Sequence, residues 1–119
     1  MTVQVNLTAA LELTSALDAS NSLTNDARVV LLSSINGIAG AAGQTNYAAS
    51  KAGLMAAASQ LSTEWSASGI SRAANAIAPG FIETDMTAAV PPMVGGSAVE
   101  WLLCIPALLF CVHAVLAST

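Results

Sequence analysis

Basic residues are scarce. Only Arg28, Lys51 and Arg72 are basic among 119 residues, against seven carboxylates, and the net charge is −4. Nucleic-acid binding rests on clustered Lys and Arg, so a phosphate-backbone partner is not expected. No basic residue precedes Arg28, so a signal-peptide n-region is missing. Cysteine is sparse as well: Cys104 and Cys111 lie seven apart in one apolar run. On a helix that spacing is about 10 Å, beyond disulfide reach, and it fits no zinc pattern. Nothing here argues for an oxidising compartment, and the expectation is a cytoplasmic chain without a metal. Charged residues make up only 8% of the chain, whereas 55% is hydrophobic. A chain of this length and composition can bury a core as one domain.

Two short β-rich runs stand out. Residues 28–33, Arg-Val-Val-Leu-Leu-Ser, are nearly continuous apolar, the pattern of a parallel strand buried on both faces. Residues 73–77, Ala-Ala-Asn-Ala-Ile, predict a second strand. An alanine-rich helix is expected between them, over residues 45–68, with Gly69 as its C′ residue. Leu54, Leu61 and Trp65 form its apolar stripe, read as core or subunit interface. A right-handed crossover should join the strands. Upstream, Val3, Leu7, Leu11 and Leu13 predict a helix over residues 2–18, and residues 18–27 form a polar loop. Asn6 is out of character in that helix, because its amide competes for backbone groups.

The chemistry gathers in residues 34–51. Ser34 ends the first strand, and open α/β sheets bind ligands at the carboxyl edge. Tyr47 and Lys51 are four apart and share a helical face. A free tyrosine has a pKa near ~10, and a lysine ammonium close by favours the phenolate and lowers it. That suits the phenol to acid–base work, with a serine hydroxyl beside it to hold a carbonyl. A bare Tyr-x-x-x-Lys pair also describes a surface tyrosine and a snorkelling lysine. Gly37, Gly40 and Gly43 lack the G-x-G-x-x-G spacing of a dinucleotide fingerprint and are read as freedom for a tight loop.

Three motifs extend that reading. They are Ser34, the run Asn46-Tyr47-Ala-Ala-Ser-Lys51-Ala-Gly, and the run Ile77-Ala-Pro79-Gly80-Phe-Ile82-Glu-Thr84-Asp85-Met. In order and spacing, residues 3–91 resemble the short-chain dehydrogenase/reductase family, nearest to the C-terminal half of its 3-oxoacyl-[acyl-carrier-protein] reductases. The N-terminal nucleotide fingerprint of that family is not in these residues.

The resemblance implies a partial Rossmann-like α/β fold, a fragment of a doubly wound parallel sheet. It implies NADPH- or NADH-dependent carbonyl reduction or alcohol oxidation of a small-molecule carbonyl or acyl-carrier substrate. Tyr47 would be the acid or base, and Ser34 would orient the carbonyl. Lys51 would lower the tyrosine's pKa and hold the ribose. Asn6, in Val5-Asn6-Leu7-Thr8, would support a water relay to the lysine. Pro79 and Gly80 would lie along the nicotinamide. The Ile82 backbone would bind its carboxamide, with the Thr84 hydroxyl assisting. Residues 45–68 pair with their copy in family members, so a homo-oligomer is implied. Residues 71–74, Ser-Arg-Ala-Ala, make the link to the second strand two residues longer than the family's.

After residue 91 the resemblance stops, which divides the chain into a catalytic segment, 1–91, and an apolar tail, 92–119. Ser97 and Glu100 are spaced as a capping box for an apolar helix over residues 101–117. That helix would be about 26 Å long, short of a ~30 Å hydrocarbon core. Pro106 and the missing basic flanks make membrane contact the less favoured alternative to packing. His113 within the run reads as a packed histidine. Two rival functions stay open: an inactive remnant serving as an interaction module, and a small membrane-associated protein. Cofactor binding and membrane fractionation separate them from the enzyme.

Overall fold

The computed structural model describes residues 1–80 and the backbone of residues 111 and 112. The chain is helical from residue 2. A π-helical turn, Gln4–Thr8, runs into helix α1, Ala9–Ala19. The turn is closed by the Ala9 N–H donating to the Gln4 carbonyl, a five-residue step. Asn6 sits inside it, where the regular four-residue ladder is interrupted. Strand β1, Arg28–Leu32, follows the polar loop. Helix α2, Asn36–Ala39, is a single turn not foreseen in the sequence. Helix α3, Thr45–Ala67, and strand β2, Ala73–Ile77, complete the unit.

The end of α3 follows from its sequence. Gly69 adopts φ +71, the Gly69 N–H donates to the Ser66 carbonyl, and the Ile70 N–H donates to the Trp65 carbonyl. This is the paired closure that a left-handed C′ glycine permits.

Strands β1 and β2 pair in parallel, with Arg28 opposite Ala73 and Leu32 opposite Ile77. Helix α3 covers them through Leu54, Ala58 and Trp65, packed on Leu31, Ala74 and Ala76. Alanines on both sides let helix and strand approach closely. The stripe on α3 is therefore core, with Leu61 packed at its margin.

Two expectations need correction. Strand β1 is not buried on both faces among the described residues. Leu31 is enclosed, but Val30 is 55% and Leu32 is 61% exposed. Helix α1 stands off this strand across a groove of about 360 Å³, lined by Leu13, Leu17, Leu23 and residues 29–32. The second correction concerns the apolar tail. At Cys111–Val112 the backbone is strand (β3), antiparallel to β2, with Ile77 opposite Cys111 and Ala76 opposite Val112. An apolar run fits helix or strand equally by periodicity, and here the free edge of β2 supplies hydrogen-bonding partners. The remainder of the expected helix over residues 101–117 lies outside the described residues. No described helix is long and apolar enough to cross a membrane.

Arg72 lies in the link before β2. Its side chain turns inward, pairs with Asp18, and donates to the carbonyls of Thr24 (2.8 Å) and Leu23 (2.6 Å). Trp65 Nε1 donates to the other Asp18 oxygen at 2.9 Å. Asp18 and Arg72 together thus join the end of α1, the following loop, α3 and the link into β2. The strand starts at Ala73 as expected.

Candidate active site

Ser33 and Ser34 both end β1, and the structure gives them different roles. Ser33 is buried; its N–H donates to the Ile77 carbonyl at 2.7 Å and its hydroxyl to the Lys51 carbonyl at 2.7 Å. Its hydroxyl therefore serves packing. Ser34 is half-buried, and its Oγ accepts the Asn36 N–H at 3.2 Å. Its own proton has no partner among the described residues.

Tyr47 and Lys51 occupy the first two turns of α3. Both are half-buried, and the Lys51 ammonium lies 5.6 Å from the centre of the Tyr47 ring. Lys51 Nζ also donates to the Leu32 carbonyl at 2.7 Å. With the Ser33 contact, this ties α3 to the end of β1 through both the side chain and the backbone of Lys51. The Lys51 ammonium is thereby held at the end of β1, two residues before Ser34.

The intervening loop makes that approach feasible. A Cβ on Gly37 would lie 2.8 Å from the Ala52 nitrogen and 2.9 Å from the Lys51 carbonyl carbon, so only glycine lets α2 rest on α3. Gly43 needs glycine for a different reason, its φ of +73. Asn36 Nδ2 donates to Gln44 Oε1 at 3.3 Å, which closes the loop just before α3.

Asn6 reaches the same helix from the π turn: its Nδ2 donates to Ser50 Oγ at 3.3 Å. At the other side of the site, the Ile35 N–H donates to the Pro79 carbonyl at 2.9 Å, so the loops leaving β1 and β2 run together. Pro79 and Gly80 are half-buried there. Ile82 and Thr84 lie outside the described residues. Ser50 and the Asn36–Gln44 bridge were missed in the sequence, and Gly37 was read as loop freedom rather than as a close contact with α3; a serine inside an alanine-rich helix was the available signal for the first.

The family model for short chain dehydrogenase matches residues 1–95. The chain belongs to the short-chain dehydrogenase family. Among curated relatives, the 3-oxoacyl-[acyl-carrier-protein] reductase MabA of Mycobacterium avium is 36% identical over 100 residues, which are 84% of this chain and 38% of that protein. The 3-oxoacyl-[acyl-carrier-protein] reductase FabG of Rickettsia prowazekii (strain Madrid E) is 55% identical over 60 residues, 50% of this chain and 24% of the relative. A crystal structure of 3-hydroxyacyl-CoA dehydrogenase type-2 from Mycobacterium avium superimposes with a TM-score of 0.63 at 30% identity, over 76% of this chain and 37% of that one. This short-chain dehydrogenase chain thus spans well under half the length of these proteins. Its α/β fold is the corresponding part of a Rossmann-like sheet.

Proposed function

We propose that this chain carries the proton-transfer centre of an NAD(P)-dependent oxidoreductase that interconverts a 3-oxoacyl group and its alcohol. The observation that carries the reading is the fastening of Lys51, whose ammonium lies 5.6 Å from the Tyr47 ring centre, to the Leu32 carbonyl two residues before Ser34. The names of the reductase relatives support the substrate class.

The residues present fit the nicotinamide–ribose end of NADPH or NADH. Lys51 bonds the carboxyl end of β1 with the Tyr47 ring next to it, Ser34 follows that strand with a hydroxyl proton that has no partner among the described residues, and the loop leaving β1 bonds the Pro79 carbonyl. The glycines of residues 37–43 lack the spacing that seats a pyrophosphate. A nicotinamide held there would supply the hydride, or take it up in the reverse direction. Ser34 donates its hydroxyl proton in a hydrogen bond to the substrate oxygen and orients it. Tyr47 gives its phenolic proton to that oxygen as the alcohol forms. Lys51 stabilises the phenolate left behind and holds the ribose hydroxyls. Asn6 supports a relay that returns the proton. The Ile82 backbone and the Thr84 hydroxyl take the carboxamide.

The test is reduction of a 3-oxoacyl thioester, followed by NADPH or NADH absorbance, with the chain supplied with the nucleotide-binding half of a FabG relative. Lys51→Met keeps the apolar stem, removes the charge, and should lower kcat/KM by about 100-fold or more. Turnover within a few-fold of the unsubstituted chain would contradict the role given to Lys51.

A further inference from the structure

The hydroxyl of Ser50 is the most enclosed polar group of the described residues, at 0% exposure. Both of its partners belong to the candidate site. It accepts from Asn6 Nδ2 at 3.3 Å and donates to the Tyr47 carbonyl at 2.7 Å. A serine that bonds the carbonyl three residues back is common in helices and by itself means little. Here the same oxygen also takes a side-chain donor from an element 44 residues away in sequence. A hydroxyl has one proton and can accept as well, so one atom meets both demands.

The next turn of α3 continues the contact. Gly53 leaves its surface open, and Leu7, the neighbour of Asn6, lies against it; a Cβ there would be 2.7 Å from Leu7 Cδ2. Residues 6 and 7 of the π turn are thus seated on residues 50 and 53 of α3. The five-residue step of that turn re-aims side chains relative to a regular helix, and π turns are frequent at functional sites.

We infer that Ser50 is a positioning residue, the seat that fixes the Asn6 turn against the helix carrying Tyr47 and Lys51. The inference rests on the functional reading above for the importance of Asn6, but the seat itself is a structural claim. Without the hydroxyl, the Asn6 amide loses its acceptor and the Tyr47 carbonyl loses its side-chain donor. The turn is then free to slide over the small residues of α3, and the geometry between Asn6 and the Tyr47–Lys51 pair is no longer fixed.

The test is NMR of the isotopically labelled chain, in solution or, for an oligomer, in the solid state. Tyr47 is the sole tyrosine, so its ring signals are assigned by residue type. In the unsubstituted chain, the Asn6 side-chain amide should exchange about 10-fold or more slowly than that of exposed Asn21. Ser50→Ala should bring the two within about 2-fold and move the Tyr47 ring resonances. Thr14→Val is the control: it removes another buried hydroxyl, bonded to the Ala10 carbonyl at 2.8 Å. It should lower the melting temperature and leave both signals in place. An Asn6 amide that exchanges like Asn21, or one untouched by Ser50→Ala, overturns the inference. So does a Tyr47 ring that stays in place in Ser50→Ala or responds equally to Thr14→Val. Absence of turnover with a protected Asn6 amide would refute the proposed function and leave the seat standing.

Discussion

At the residue scale, neighbouring side chains of one type have different surroundings, and the proposed function gives them different roles. Ser33 and Ser34 are the sharpest case. Ser33→Ala removes a buried hydrogen bond to the Lys51 carbonyl, and should cost about 1–2 kcal/mol in a denaturant melt. Ser34→Ala should leave stability within about 0.5 kcal/mol, because its hydroxyl only accepts one loop N–H, and should lower carbonyl reduction instead. The reverse pattern would mean that the wrong serine has been assigned. Asp18 illustrates a structural carboxylate. Its removal leaves the Arg72 guanidinium, whose side chain is 5% exposed, without a counter-charge. Asp18→Ala should therefore destabilise by about 2 kcal/mol, less than a fully buried pair, because Asp18 is 37% exposed and Arg72 keeps two carbonyl partners. Urea melts of the two proteins measure this. Asp26 is the mild case: the Thr24 hydroxyl first, then its own backbone N–H and Arg28, hold its carboxyl below the ordinary 3.8. A lowered folded-state value contributes stability above that ordinary value and loses it as pH falls through the folded one. Asp26→Asn should slightly lower stability at neutral pH, leave it unchanged at the acid end, and so flatten the stability–pH curve below about 3.8.

At the scale of elements, the unit that matters is β1, the glycine-rich loop and α3. Gly37 is its tightest point. Gly37→Ala places a methyl group against the backbone of α3, which cannot rotate away as a side chain can. It should cost about 1–3 kcal/mol and loosen the fastening of Lys51 to Leu32, seen as lost amide protection at the start of α3. This unit was legible in the sequence because its signals are local. A β-rich run, a Tyr-Lys pair at helical spacing and a C′ glycine each specify their own structure, and β1 and α3 formed where expected. The α2 turn was not legible, because four residues with a glycine inside carry too little periodicity. The Asp18–Arg72–Trp65 junction escaped for another reason. Its members are 47 and 54 residues apart, and an arginine in a linker reads as a surface charge until the fold brings a carboxylate to it. The apolar tail was misread at residues 111 and 112, because its composition leaves helix and strand open and the edge of β2 decides between them.

At the scale of the molecule, β1 is an edge strand among the described residues, and it lines the groove under α1. Exposed Val30 and Leu32 lie along it. Open apolar edges pair with other chains, so the 119-residue polypeptide by itself should scatter light as oligomers. Val30→Lys places a charge on that edge and should shift the distribution toward monomer; an unchanged distribution would place the association elsewhere. The same polypeptide should bind NADPH or NADH only weakly by calorimetry, since no fingerprint glycines seat the pyrophosphate. Micromolar binding by a monodisperse monomer would contradict that.

The central claim is that Tyr47 moves the proton. The most direct measurement compares kcat/KM for 3-oxoacyl reduction between the unsubstituted chain and Tyr47→Phe, both supplied with the same nucleotide-binding half. The substitution removes one oxygen and barely changes packing volume. The account expects a loss of about 100-fold or more, with the melting temperature unchanged. Activity retained within a few-fold would contradict it.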